Sequence, residues 1–338
     1  MKNEYNPAVG GRHLNFELLR ILSMFLIVLG HVNVHYLKGS DISGSITSSC
    51  LSYLYPFIIF HVNIFVIITG FFGVKHVDRS FLKVITTLFF YSTTIGLMLR
   101  LSGYDADFAS MLLPLTHGGW WFIQIYLCMI VFAPLIEQYA NSDRSGFLRF
   151  LLSLLAIDVY LSFIWHIDTM HNHGYDILHF LDIYSIGVFL RHHTPTIRRL
   201  SHVKLKCLLV LAMGVVIQYK LMGLGLSINI FDYNNPYAII ASVCIFCFFS
   251  TLSIPEIFRK IITFFSSSVL AVYIITEQSN VRSLLTGMFG RIIPQTAYSV
   301  RGIFLVFLIC ALVFVLCCLM DKARIYFFNL VSKTFHKT

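Results

Sequence analysis

Ten apolar stretches separated by short polar segments dominate the sequence. A membrane-spanning helix needs about 20 mainly apolar residues, because each residue adds about 1.5 Å of rise. The composition agrees, since 12% of the 338 residues are charged, against about 25% in soluble domains. We predict an all-α polytopic membrane helix bundle, a single domain over residues 1–338. About ten helices are predicted, the sixth and eighth of them short: 14–34, 51–72, 84–101, 119–137, 148–165, 178–190, 205–222, 237–252, 263–281 and 298–319.

The basic residues are distributed unevenly between the two sides of this predicted bundle. Most of the 25 Lys and Arg residues fall on alternate connecting segments, with clusters at 75–83, 191–206 and 322–324. Because positively charged loops stay cytoplasmic, both termini are predicted to be cytoplasmic. The net charge of +9 then reflects topology and membrane lipid, and no nucleic-acid partner is expected. No small-residue cleavage site follows the first apolar run, so we expect a retained first helix.

Arg20 and His31 share the first predicted helix, with only apolar, Ser and Gly residues between them. Ionisable side chains inside a membrane helix are costly, so both suggest a functional site. Eleven residues of helix rise about 16 Å in about three turns, which places both side chains on nearly the same face. Arg20 is predicted to bind an anion and His31 to act as a general base. The alternatives are a histidine satisfied by a neighbouring helix and an arginine that snorkels, paired with Glu17.

Polar residues also interrupt the second apolar stretch, FHVNIFVIITGFFG. Asn63 and Thr69 stand among apolar residues there, and His61 lies near the predicted middle of the membrane. On these residues alone, packing is favoured over catalysis. A haem between His61 and either His31 or His35 is an alternative, although further paired histidines at matching depth are missing.

Trp120 and Trp121 begin the stretch that runs to Tyr139, at the predicted outer interface, and the polar tip of Tyr126 follows. An interfacial aromatic belt is the simpler explanation. Tryptophan faces also bind sugar rings, so a carbohydrate platform stays open.

Acidic residues stand inside three later predicted helices. Glu277 is a candidate site residue, or it pairs with Arg282 across the end of its helix. Asp158 and Asp182 are further intramembrane carboxylates for which the sequence suggests no role.

No metal is expected, and the remaining His and Cys residues show no metal-binding pattern. Cys244 and Cys247 form a CxxC in an apolar helix without a second pair, which favours packing. The outer segment near 166–177 matches no zinc-binding spacing, which favours a solvated loop. Its ionisable residues are His166, Asp168, His171, His173 and Asp176.

Four of these stretches, in order and over nearly the whole chain, resemble the membrane-bound acyltransferase-3 family of O-acyltransferases. ELLRILSMFLIVLGH resembles the first-helix pattern of Arg, ten residues and His, which are Arg20 and His31 here. VNIFVIITGFF resembles the second-helix phrase, with Thr69 in place of the usual Ser. WWFIQIYLCMIVFAPLI resembles the tryptophan-led segment that ends in Pro-Leu. VLAVYIITEQSNVR resembles a late-helix segment that often has His after Tyr-Leu-Ile, where Thr276 and Glu277 follow here.

The resemblance implies transfer of an acetyl group from cytoplasmic acetyl-CoA to a hydroxyl of a cell-envelope carbohydrate such as O-antigen, capsule or exopolysaccharide. The acceptor is then lipid-linked or polymeric, and the location is the bacterial inner membrane. His31 is the predicted base, and Arg20, oriented by Glu17, is predicted to hold a CoA phosphate. The predicted substrate-binding residues are Trp120, Trp121, Asn63, Tyr126 and Glu277.

Two other functions suit a membrane protein with buried charges. The main rival is a transporter or flippase for a lipid-linked or small polar substrate, but neither repeats nor broken helices are evident in the sequence. An envelope polysaccharide polymerase is disfavoured because the outer loops are short and poor in Arg. A structural membrane protein would leave Arg20 and His31 without a role.

Overall fold

The structure is a computed structural model that describes residues 13–37, 42, 44–167, 169, 172–199, 202–224 and 231–335. Side chains of residues 194–199, 222 and 331–335 are not described. Within the described residues all regular structure is helical, as the sequence predicts, and no strand occurs. Asp168 and His171 of the predicted outer loop lie outside the described residues.

The helices of the first half of the chain are α1 (Leu14–His31), α2 (Ile46–Ile58), α3 (His61–Phe72), α4 (Val77–Leu101), α5 (Phe108–Leu112), α6 (Pro114–His117), α7 (Trp121–Ser142) and α8 (Arg144–Leu155). Those of the second half are α9 (Ile177–Arg199), α10 (Val203–Gly223), α11 (Pro236–Ser250), α12 (Arg259–Ser266), α13 (Val269–Glu277), α14 (Ser279–Ile292) and α15 (Val300–Phe335). A π-helical segment over Val32–Leu37 continues α1, and another over Ala156–Ile164 continues α8.

Seven segments within the described residues are long and apolar enough to cross a membrane. They are Leu14–Leu37, Ile46–Phe72, Val77–Leu101, Trp121–Ser142, Arg144–Ile164, Glu256–Glu277 and Val300–Leu330. The protein is therefore a multi-pass membrane protein. The other three predicted spans are also helical, as α9, α10 and α11, and α11 is short with 15 residues. The count of ten spans and the cytoplasmic position of the termini stay predictions.

The stretch predicted as one helix over 263–281 is helical but not continuous, because the structure divides it into α12, α13 and the start of α14. The hydroxyl of Ser267 donates to the carbonyl of Thr263, and such local bonds compete with the helical ladder. Gln278 has an extended backbone (φ −61°, ψ 128°), and its side chain accepts from the N–H of Val281 to cap α14. Glu277 therefore ends α13 at a helix break, a feature that in membrane proteins usually lines a cavity or a ligand site.

The chain divides into two compact units. Unit 1 contains Met1–Ser23, Leu54–Val84 and Trp121–Pro255, and unit 2 contains Met24–Tyr53, Ile85–Trp120 and Glu256–Thr338. Arg20 and Glu17 therefore belong to unit 1, whereas His31 and Glu277 belong to unit 2. The single domain over residues 1–338 stays a prediction.

The core of unit 1 is the close packing of α3 against α9. A Cβ added to Gly70 would lie 2.1 Å from the carbonyl oxygen of Tyr184, so only glycine allows this approach. Beside it, the ring of Phe16 stacks on that of Phe246 at 4.9 Å and lies 5.4 Å from that of Phe71. Aromatic pairs at such distances add to the burial of apolar area.

Unit 2 is held by contacts among α13, α14, α15 and the polypeptide before α7. The indole N–H of Trp120 donates to the carbonyl of Ile274 in α13 at 3.1 Å. In α15 the buried carboxylate of Asp321 accepts from the Tyr91 hydroxyl at 2.8 Å and pairs with Arg324. These bonds satisfy polar groups that would be costly in an apolar interior.

Candidate active site

The side chains of His31 and Glu277 lie in contact in unit 2. The Nδ1 atom of His31 lies 2.8 Å from the Oε1 atom of Glu277, and the two side chains are 22% and 9% exposed. The angle at Nδ1 of His31 does not satisfy the geometry of a hydrogen bond to this oxygen. The contact is therefore chiefly electrostatic. A carboxylate beside Nδ1 favours a proton on that atom, which leaves Nε2 to accept one.

His31 and Glu277 each stand next to an interruption of an α-helix. The π-helical segment begins at Val32, directly after His31, and π-helical turns are frequently found at functional sites. Glu277 is the last residue of α13, directly before the extended Gln278. The preceding hydroxyl, that of Thr276, donates to the carbonyl of Val272 within its own helix at 2.9 Å. Glu277, rather than Thr276, therefore supplies the side chain that contacts the imidazole of His31.

Two further ionisable side chains approach the same carboxylate. The Nε2 atom of His35 lies 3.8 Å from Oε2 of Glu277, and Nη1 of Arg282 lies 3.6 Å from the same oxygen. One possible ligand atom from each of His31, His35 and Glu277 lies within 4.8 Å of the others. The sequence predicted Arg282 as an alternative partner of Glu277, and the structure gives the carboxylate both Arg282 and His31.

A narrow pocket of ≈ 10 Å³ adjoins the pair, with room for about one water molecule. Apart from His31, Thr276, Glu277 and Tyr36 its lining is apolar or thiol: Val28, Val32, Leu285, Phe289, Cys310 and Val313. Such surroundings strengthen electrostatic interactions at the pair because little water competes for them.

Arg20 lies in unit 1, where its Nη1 atom is 2.7 Å from Oε1 of Glu17. The pair predicted from the sequence is therefore present, with Arg20 29% exposed. Within the same unit, the hydroxyl groups of Tyr126 and Thr69 lie 3.1 Å apart. The hydroxyl of Thr69 donates to the carbonyl of Phe65, so Tyr126 is the donor between the two.

The two neighbouring tryptophans have different surroundings. Trp120 is 2% exposed and packs within unit 2, so no open ring face is left for a sugar. Trp121 is partly exposed in unit 1, where its ring lies 4.4 Å from that of Tyr175 and 5.9 Å from that of Tyr233. Burial raises the pKa of the Tyr175 phenol, which keeps it a hydrogen-bond donor.

Asn63 belongs to a buried polar network in unit 1 that the sequence did not reveal. Its Oδ1 atom faces Nε2 of His179 at 3.0 Å, and Nδ1 of His179 faces a carboxylate oxygen of Asp158 at 2.7 Å. The amide of Asn234 donates to Asp158 and to Ser162. All five side chains are at most 1% exposed. Asn63 is thus occupied by protein partners, and the recognisable signal for His179 was only a histidine in an apolar helix.

The other histidines considered in the sequence lie in unit 1. His61 is buried, with its ring 5.9 Å from that of Tyr233. His173 of the predicted solvated loop is 46% exposed, and it pairs with the buried Asp232 at 2.8 Å, which anchors this exposed loop at one point.

A basic groove of ≈ 400 Å³ lies between α3 and the first turns of α4 in unit 1. Its lining consists of Phe72, Gly73, Lys75, His76, Arg79, Ser80 and Lys83. The four basic or imidazole side chains are exposed. A concave surface of one sign of charge attracts anions.

The comparisons with known proteins give one match. A family model described as an acyltransferase domain, acyltransferase-3, matches residues 13–322, which is nearly the whole chain. No curated protein and no solved structure matches the chain significantly.

Proposed function

The chain belongs to the acyltransferase-3 family of membrane acyltransferases, and from this we propose that it is an O-acetyltransferase of the bacterial inner membrane. Acetyl-CoA is the proposed donor, and a hydroxyl of a cell-envelope carbohydrate is the acceptor. The observation that carries the proposal is the 2.8 Å contact between the imidazole of His31 and the carboxylate of Glu277, beside a mainly apolar pocket.

In the proposed reaction His31 is the general base. Nε2 takes the proton of the acceptor hydroxyl as its oxygen attacks the thioester carbonyl. The carbon–oxygen bond forms and the carbon–sulfur bond breaks, and the departing CoA sulfur takes the proton back from the imidazolium. Glu277 stabilises the transient imidazolium and orients the ring.

The small pocket favours a short acyl group over a long one. Its ≈ 10 Å³ suits a group of the size of a methyl or a carbonyl beside His31, and a fatty acyl chain would require the packed helices to part. A mainly apolar lining also keeps bulk water from the thioester.

Two features of unit 1 support a donor that carries several phosphates. Arg20 presents a guanidinium held by Glu17, and guanidinium groups bind phosphate with two hydrogen bonds. The basic groove at Lys75, Arg79 and Lys83 adds positive charge on the side predicted to be cytoplasmic. Trp121 and Tyr175 offer partly exposed rings for a carbohydrate.

A covalent labelling experiment tests the proposed function. The purified protein in lipid nanodiscs is incubated with radiolabelled acetyl-CoA and an extract of envelope glycans, without any ion gradient. We expect alkali-labile label on the glycan, because the product is an oxygen ester. A transporter or flippase would leave the glycan unlabelled, and that result would overturn the proposal.

The Arg20 assignment predicts a change in donor binding. Arg20→Lys keeps the charge but loses the two-pronged contact, so KM for acetyl-CoA should rise about tenfold, as expected for losing one charge-assisted hydrogen bond. The turnover number should change little. Arg149→Lys, at an exposed arginine of α8, is the matched control. An unchanged KM would mean that Arg20 serves only its pair with Glu17.

A further inference from the structure

Three ligand atoms of the kinds that zinc prefers converge in unit 2. They are one ring nitrogen each of His31 and His35 and one carboxylate oxygen of Glu277, all within 4.8 Å of one another. Zinc binds imidazole and carboxylate at about 2.0–2.2 Å, and tetrahedral ligands then stand about 3.4 Å apart. His31 lies 2.8 Å from Oε1 of Glu277 and His35 lies 3.8 Å from Oε2. Because one ligand atom of each residue lies within 4.8 Å of the others, side-chain rotation can bring both nitrogens and one oxygen to a common ion.

The order of residues also suits a metal site. His31 and His35 stand one turn apart where α1 passes into its π-helical segment, with ring centroids 5.2 Å apart. Glu277 comes from a different helix and is nearly buried, whereas the two histidines are 22% and 27% exposed. The site is therefore reachable, and a water molecule in the adjoining pocket can complete the coordination.

We propose that His31, His35 and Glu277 bind a divalent transition metal ion of the zinc class, and that this ion inhibits the enzyme. Nδ1 of His31 is the nitrogen beside Glu277, so the ion takes the lone pair of Nδ1 and the ring proton moves to Nε2. An imidazole that carries its proton on Nε2 cannot accept another from a hydroxyl, so the base is lost while the ion is bound.

The competing cation is Arg282. Its guanidinium lies 3.6 Å from Glu277 and is 39% exposed, so it can move into solvent when the ion binds. Magnesium and calcium prefer oxygen ligands in larger number. The site should therefore bind zinc, cobalt and nickel much more tightly than magnesium or calcium.

Metal binding is tested by calorimetry with Zn²⁺ alone on the full-length protein in nanodiscs, without any acyl donor. We expect one site per chain in the wild type. His35→Ala should weaken Zn²⁺ affinity at least about tenfold, since even outer-shell partners of metal ligands are worth 10–100-fold. His117→Ala, which removes an exposed histidine in α6, is the control and should leave affinity unchanged. Co²⁺ should show the absorption of a four-coordinate ion in the wild type and lose it in His35→Ala.

Inhibition is measured separately, with each variant compared with its own metal-free rate. Zn²⁺ should inhibit the wild type reversibly, with recovery on adding a chelator, and the inhibiting concentration should rise at least about tenfold in His35→Ala. Millimolar Mg²⁺ should neither inhibit nor protect. Unaltered Zn²⁺ affinity in both His35→Ala and His35→Gln would overturn the site, and binding without inhibition would overturn the inhibitory role. Because calorimetry needs no acyl transfer, the binding result is independent of the proposed function, whereas the inhibitory role rests on it.

Discussion

Replacing His31 with alanine is expected to lower the rate of acetyl transfer at least about 100-fold. A positioned general base typically contributes a factor of 10² to 10⁴, and a factor of 100 corresponds to about 2.7 kcal/mol of barrier. The loss should fall on the turnover number, because the role proposed for His31 is to take the proton of the acceptor and not to hold a phosphate. The measurement is the initial rate of label transfer from acetyl-CoA in nanodiscs.

The transfer rates of two further variants show whether His31→Ala loses the general base or damages the fold. His117→Ala removes an exposed histidine from the same unit and should keep the wild-type rate. Glu277→Gln keeps the size of the side chain but removes its charge from His31, so the rate should fall less than in His31→Ala. A His31→Ala rate within a few-fold of wild type would contradict the assignment of the base.

The sequence predicted the helices well because apolar length is a local property. Each of the ten predicted stretches is helical, and the Arg20–Glu17 pair lies within one turn of α1. The breaks were not predicted. Gln278 stands in a short polar run from Thr276 to Asn280 inside the predicted helix, and its extended backbone depends on a side-chain cap that no hydropathy pattern records.

The candidate site was predicted only in part, because its partners are far apart in sequence. His31 and Glu277 were each recognisable as costly membrane residues, but 246 positions (277 − 31) separate them, and the sequence does not give their 2.8 Å contact. Trp120 and Trp121 are adjacent and equally aromatic, yet one is buried and the other is partly exposed. Trp120 donates to the carbonyl of Ile274, a partner 154 positions away that the sequence does not give.

The second large effect is expected on stability, at the buried network of unit 1. Asn63 donates from its amide nitrogen to the carbonyl of Tyr233, so its oxygen faces His179. His179 therefore lies between the oxygen of Asn63, which faces Nε2, and a carboxylate oxygen of Asp158, which faces Nδ1. Replacing His179 with leucine leaves both of these buried oxygens without this partner.

Removing one member of a buried pair typically costs about 3–5 kcal/mol, because an uncompensated charge stays inside. His179→Leu should therefore lower the thermal midpoint by about 10 °C, at about 2–4 °C for each kcal/mol. The midpoint is measured in one detergent for all variants. His193→Leu, at an exposed position of the same helix α9, is the matched control and should change stability by about 0.5 kcal/mol or less.

The double variant Asp158→Leu with His179→Leu identifies the cause. If the single variant is less stable because the charge of Asp158 is left buried, removing that charge as well should restore much of the lost thermal midpoint. Apolar pairs often replace buried ion pairs without loss of stability. If the loss came instead from misfitting volume, the double variant would be less stable than the single one. A His179→Leu midpoint equal to that of the wild type would mean that the network contributes little to the stability of unit 1.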